Sequence, residues 1–175
     1  MLMLIRHLLA IIALPFVVAV AIPLGLARRS GIRLASGDSL PHVIAQALGV
    51  AFLLIGFWLF LSSLQRFAAD GKGTLAPWDP PRQLVLRGPY RFVRNPMISG
   101  VVFVLFGEGL VLLSRAHLLW ALTFFVINCI YIPLLEEPML KARFGDAYTE
   151  YCRHVPRLIP RLRPWDRAAT GAGGR

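Results

Sequence analysis

The sequence predicts an all-α, polytopic membrane protein with about four transmembrane helices and a C-terminal amphipathic cytoplasmic segment. Three observations predict it. The 175-residue chain is 57% hydrophobic, above the ~45–50% apolar content of soluble domains, and its mean hydropathy is +0.63. Apolar residues gather in four runs, at 8–26, 43–64, 97–113 and 118–135, each near the ~17–25 residues that span a bilayer. The net charge of +10 comes mostly from Lys and Arg between and after those runs, as in cytoplasmic loops. A basic chain can instead bind nucleic acid, but no motif for that is present.

The first run follows Arg6 and His7 and is succeeded directly by Arg28 and Arg29. It exceeds the ~7–15 residues of a signal-peptide core, so it reads as an uncleaved helix, although Gly25-Leu26-Ala27 faintly resembles a cleavage site. Pro15 and Pro23 can kink it, which a membrane helix tolerates when neighbours satisfy the freed carbonyls. The second run carries Trp58 and Phe60 toward its far end, where an aromatic belt sits.

Residues 65–96 form a long polar segment with six basic side chains against Asp70 and Asp79, broken by several prolines and glycines. Loops of this length without their own elements are often functional. The third run is interrupted by Glu108. A short link at 114–117 then makes the third and fourth runs an antiparallel hairpin. Residues 136–151 read as an amphipathic helix at the interface, 153–165 as an irregular stretch, and 166–175 as a flexible tail. Residues 1–165 make one membrane-embedded domain.

Four spans put both termini, the long loop and the basic tail on one side, and the positive-inside rule makes that side cytoplasmic. The expected setting is a bacterial inner membrane. Arg28, Arg29 and Arg33 fall on the other side, a conflict that disappears if the first run does not fully span. The two cysteines, Cys129 and Cys152, form no metal-binding or disulfide pattern.

Three clusters carry possible chemistry. Gly88-Pro89-Tyr90-Arg91-Phe92-Val93-Arg94-Asn95-Pro96 runs directly into the third helix. It can be an interfacial anchor, or arginines held by prolines at a helix N-terminus that receive an anionic group. Glu136-Glu137 ends the fourth run, where adjacent carboxylates oppose the helix dipole. They balance nearby arginines, or grip a cation or ribose hydroxyls. Gly107-Glu108-Gly109 places a carboxylate in an apolar span, between glycines that let a ligand or another helix approach. Arginines on one side and paired glutamates on the other suit a zwitterion. His154 is the one tail histidine able to act as a base, with an interfacial role as the alternative.

The segment Gly88-Pro89-Tyr90-Arg91 … Arg94-Asn95-Pro96 … Gly100, with Glu136-Glu137 after the hairpin, resembles the isoprenylcysteine carboxyl methyltransferase family, whose wider relatives include the phospholipid methyltransferases. The tail Phe144-Gly145 … Tyr148 … Tyr151 … Val155-Pro156-Arg157 … Pro160 looks like that family's C-terminal signature. The resemblance covers about residues 71–165. It implies S-adenosyl-L-methionine as cofactor, bound by the last two helices and the tail, and a lipophilic methyl acceptor entering from the lipid bilayer. It implies that Tyr90, Arg94, Asn95, Pro96 and Gly100 shape the cofactor site, that Glu136 and Glu137 hold polar groups of the cofactor, and that Tyr148, Tyr151 and Arg157 close over it.

The family's common RHPxYxG reads here Arg94-Asn95-Pro96-Met97-Ile98-Ser99-Gly100. Asn replaces His and Ile98 replaces Tyr, which leaves the acceptor open: a prenyl thioether carboxylate, a phospholipid amine or a thiol. A non-catalytic membrane subunit on the same scaffold is the rival of a different class. No Ser/His/Asp or Cys/His arrangement indicates covalent catalysis.

Overall fold

The computed structural model describes residues 14–30, 39–70, 84 and 86–166. Every regular element among them is helical. A π-helical turn, Val17–Ala21, leads into α1 (Ile22–Ser30). Then come α2 (Leu40–Asp70), a 3-10 turn (Gly88–Arg91), α3 (Pro96–Val111) and α4 (Arg115–Tyr131). A second π turn, Ile132–Glu136, joins α4 to α5 (Glu137–His154).

Both π turns have the same cause. Pro23 and Pro138 each follow a residue whose N–H reaches back five positions, Ile22 to Val17 and Glu137 to Ile132. A proline supplies no N–H and clashes with the carbonyl four residues before it. Widening the turn ahead of it by one residue relieves the clash without ending the helix. The fourth apolar run therefore does not stop at residue 135, as its hydropathy indicates. The chain stays helical through Glu136 and Glu137 as far as a kink at the non-helical Gly145 (φ 56°, ψ −132°), and is helical again to His154, so those carboxylates lie inside a helix rather than at its C-terminus, and no helix dipole opposes them.

Among the described residues two helices are long and apolar enough to cross a membrane, Leu40–Arg66 and Arg115–His154. The latter has 40 residues but is broken by a non-helical Gly145; its part before the break, 115–144, is roughly 45 Å long at 1.5 Å per residue, longer than a bilayer's hydrocarbon thickness of ~30 Å. Its apolar half, 115–135, is the part suited to lipid; Glu136, Glu137, Lys141, Arg143 and Asp146 begin the polar half. The helix over the third apolar run is shorter than expected. α3 has 16 residues, about 24 Å, and stops at Val111. α2 extends beyond the expected 43–64 at both ends. Of the first run, residues 14–26 are helical, and 8–13 lie outside the described residues. So does much of the long polar segment, whose described part contains the 3-10 turn.

α2 and α3 pack closely and antiparallel. Gly49 and Gly56 on α2 oppose Gly107 and Gly100 on α3. A Cβ on Gly100 would stand 2.8 Å from the Gly56 carbonyl, and one on Gly107 2.9 Å from the Gly49 carbonyl. The spacing of seven residues on each helix sets both pairs on one seam, the small-residue packing that membrane helices use. Gly109 faces Leu118 of α4. The glycines around Glu108 thus serve helix packing.

The turn between α3 and α4 uses Leu113 in the left-handed region (φ 49°). Ser114 then caps α4, accepting from the His117 N–H. The buried His117 ring spans two helices, with Nδ1 2.8 Å from Ser114 Oγ and Nε2 3.1 Å from the Pro23 carbonyl. A carbonyl only accepts, so Nε2 carries the proton and Nδ1 accepts from the serine hydroxyl. Trp120 Nε1 donates to the Val18 carbonyl at 3.0 Å. These bonds dock the first helical segment onto α4 over a core of Val18, Val101, Leu105 and Ala121. Leu54, Phe57, Trp58 and Leu61 on α2, and Leu119, Val126 and Ile130 on α4, stay exposed, an apolar perimeter fit for lipid.

Candidate functional site

The loop entering α3 is held by the chain that leaves α5. Backbone bonds run both ways between them: Arg94 N–H to the Pro156 carbonyl (2.8 Å), Asn95 N–H to Arg157 (3.2 Å), Arg161 N–H to Phe92 (3.0 Å) and Trp165 N–H to Arg91 (2.9 Å). The irregular character expected for 153–165 is present beyond His154. Yet the stretch is pinned: it satisfies backbone groups that a non-helical loop would otherwise leave unpaired.

Side chains strengthen the clip. The Tyr151 hydroxyl donates to the Tyr90 carbonyl at 2.6 Å, and Asn95 Nδ2 to the Arg157 carbonyl at 3.4 Å. Arg91 donates to the Trp165 carbonyl and pairs with Asp166 at 3.1 Å. Asp166, the first residue of the expected flexible tail, is therefore anchored; 167–175 lie outside the described residues. Tyr148, Tyr151, Val155 and Trp165 form an apolar floor. His154 stacks flat on Trp165, ring centroids 5.2 Å apart, and its Nδ1 donates to the Glu150 carbonyl at 2.9 Å. That ring braces the floor.

Above the floor lies a charge cluster drawn from three segments. Arg157 forks onto Glu137, Nε to Oε1 at 2.6 Å and Nη2 to Oε2 at 3.0 Å. Arg94 Nη1 lies 2.9 Å from the same Oε1 and also donates to Cys152 Sγ. The Arg94 side chain is only 9% exposed, and its Nε–H is buried with no partner among the described residues. A buried charged donor without an acceptor is costly.

Burial opposes ionisation of Glu137, but the hydrogen bond from Arg157 and the charge of Arg94 outweigh it and hold the carboxyl below its usual range. The same bond raises Arg157. For the neighbouring Glu136, burial dominates, the Glu137 charge adds to it, and Arg94 only partly offsets them, so that carboxyl is raised. Burial also raises the Tyr148 and Tyr151 phenols and, with the nearby Glu136 charge, that of Tyr90. The Tyr90 hydroxyl pairs with Ser63 of α2 at 3.3 Å, and Ser63 is wholly buried.

The fold therefore brings Tyr90, Arg94, Asn95, Glu136, Glu137, Tyr148, Tyr151 and Arg157 to one rim of the bundle. Pro96 is buried as the first residue of α3. Gly100 lies one turn further in, on the α2–α3 seam. Gly107-Glu108-Gly109 is placed elsewhere: twelve residues of α3, about 18 Å, separate Glu108 from Pro96. Sequence reading missed Ser63 and the Cys152 contact with Arg94. No local pattern marks either, because each is defined by a partner far along the chain.

Two guanidinium groups sharing one carboxylate leave donors free for an anionic group, and an uncompensated carboxylate beside them favours a cation or a proton. Among the described residues no group of His, Cys, Asp and Glu could hold a metal ion. A family model described as phospholipid methyltransferase matches residues 44–147. Over 76 residues the chain is 40% identical to a protein of Bradyrhizobium diazoefficiens named methanethiol S-methyltransferase 2. That match covers 42% of this chain and 27% of the relative, so the chain spans about a quarter of the relative it matches. No solved structure matches.

Proposed function

The chain belongs to the phospholipid methyltransferase family of integral membrane methyltransferases, and from that membership we propose that it transfers a methyl group from S-adenosylmethionine to a lipophilic or membrane-associated acceptor at the Arg94–Glu137–Arg157 cluster. The observation that carries the assignment is the buried Arg94 Nε–H without a protein acceptor, beside a second guanidinium. The carboxylate of an amino acid fits both. The methyl donor supplies an activated methyl group on a sulfonium, so the chain's task is alignment and exclusion of water.

Each residue has a share in that task. Arg94 and Arg157 receive the carboxylate, and Glu137 holds the two guanidinium groups in register. Tyr148 and Tyr151, in the apolar floor, keep water from the underside of the cluster. Asn95 and Tyr90 fix the entering loop to the tail and to α2. Pro96 and Gly100 set the height of α3 below it. We read residues 1–165 as one such unit, with the rim facing the cytoplasm and the acceptor arriving through the apolar perimeter.

A thiol is the first choice of acceptor, on the 40% identity to a protein named as a thiol methyltransferase. A phospholipid amine is the second, on the family description. Asn95 and Ile98 stand where a prenyl-carboxylate enzyme of the resembling family has His and Tyr, which disfavours that acceptor. Calorimetry on purified protein tests the site. S-adenosylmethionine binds, and Glu137→Ala weakens that binding at least about tenfold, as expected when a charged hydrogen-bond network worth ~1.5–3 kcal/mol is broken. Unchanged affinity in the variant contradicts the assignment.

A further inference from the structure

Glu136 and Glu137 are adjacent yet meet different surroundings, because successive residues on a helix project about 100° apart. Glu137 is held by Arg94 and Arg157. Glu136 is half-buried and has no ion pair among the described residues. It lies within electrostatic reach of Tyr90, which is tied to the buried Ser63 of α2, and of the Glu137–Arg94 pair. It is also the first charged residue after the apolar half of the long helix.

We propose that Glu136 is the base that takes the proton from a neutral thiol acceptor. The proposal rests on the methyl-transfer reading above. A thiol with a pKa near ~8.5 is only a few per cent ionised at neutral pH, and the thiolate is the nucleophile. Both nearby arginines are bonded to Glu137, so Glu136 makes no ion pair of its own among the described residues and is able to accept. Protonation also removes its repulsion with Glu137.

The balance is simple. The S–H proton passes to the Glu136 carboxylate. The electron pair left on the thiol sulfur forms the new S–CH3 bond as the donor's own S–CH3 bond breaks, that pair returning to the donor sulfur. A thioether leaves, and the protonated Glu136 then loses its proton to water at the rim.

The test compares wild type, Glu136→Gln and Glu136→Asp, purified and reconstituted in vesicles. Two acceptors are used: an alkanethiol, mostly protonated at neutral pH, and an aryl thiol, mostly ionised. Donor affinity is read separately by calorimetry. Glu136→Gln is expected to lose about 100-fold on the alkanethiol and less than about threefold on the aryl thiol, the span of general-base effects. As a base and not the cofactor-holding group that the family resemblance implies, Glu136 leaves donor affinity within about twofold of wild type when changed to Gln, and Glu136→Asp recovers most of the alkanethiol rate, because the carboxylate remains. Equal losses on both thiols, no loss on either, or a tenfold fall in donor affinity overturns the proposal. Should Glu136→Gln fail to fold, Glu136→Ala decides by the same comparison: a loss confined to the alkanethiol supports the proposal, and equal losses on both thiols or no loss on either overturns it. A wild type that methylates neither thiol removes thiol transfer altogether; an active wild type with an indifferent Glu136→Gln removes only the role of Glu136.

Discussion

Arg157 grips Glu137 with two parallel hydrogen bonds, of 2.6 and 3.0 Å, across a helix that carries a left-handed Gly145 (φ 56°) between them. The pair joins the middle of the longest helix to the tail beyond it. Arg94 joins the same carboxylate from the loop before α3. One side chain thus holds three segments together, and its loss has consequences for folding as well as for binding.

Glu137→Gln is expected to lower stability by about 1.5–3 kcal/mol, the worth of hydrogen bonds to a charged group. Most of that comes from Arg94, which is buried, and little from Arg157, whose side chain is 36% exposed and well screened. Denaturant unfolding in detergent micelles measures it.

Adjacent carboxylates are expected to act with opposite signs. Glu137 has a depressed folded-state pKa. Its contribution is present above the unfolded value near ~4.3 and is lost as pH falls through the folded value. Glu136 is raised. It binds its proton more tightly folded than unfolded, so stability falls as pH rises through those values. At pH 7, Glu136→Gln is therefore more stable than wild type, and Glu137→Gln less. Unfolding midpoints between pH 2 and pH 8 check both signs.

The membrane class and the helical character of each apolar run were legible in composition and hydropathy. Residues 136–151 were legible as a helix as well, but its continuity with the fourth run was not. Proline and charge together mimic a helix end, and only the π turn ahead of Pro138 shows that the helix survives. The residues of the site were legible as motifs. Their assembly depends on backbone bonds between 91–95 and 156–165, and those leave no periodic signature.

The α2–α3 seam gives a third prediction. Gly100→Ala places a Cβ 2.8 Å from the Gly56 carbonyl and 2.9 Å from the Phe60 nitrogen. Backbone cannot yield as a side-chain tip does, so overpacking of about 1–3 kcal/mol exceeds alanine's helix advantage of about 0.5–1 kcal/mol. Gly25 has nothing within 4 Å, so Gly25→Ala keeps that advantage. Thermal melts of the two variants should move in opposite directions.

Trp165→Ala removes the ring on which His154 stacks and which covers Tyr151. Large-to-small changes of a buried Trp cost about 3–5 kcal/mol. Here the loss is local, because the clip opens without unpacking α2 from α3. Hydrogen exchange should show lost protection at the Arg94, Asn95 and Arg161 amides and unchanged protection along α3.

The central claim is methyl transfer at the Arg94–Glu137–Arg157 cluster. Mass spectrometry of membrane extract, after incubation with purified protein and S-adenosylmethionine bearing a deuterated methyl group, tests it most directly. A thiol or lipid product carrying the three-deuterium methyl group, made by wild type and lost in Arg94→Ala and Glu137→Gln, is the expected result. No labelled product from wild type, or the same yield from all three proteins, would contradict the account.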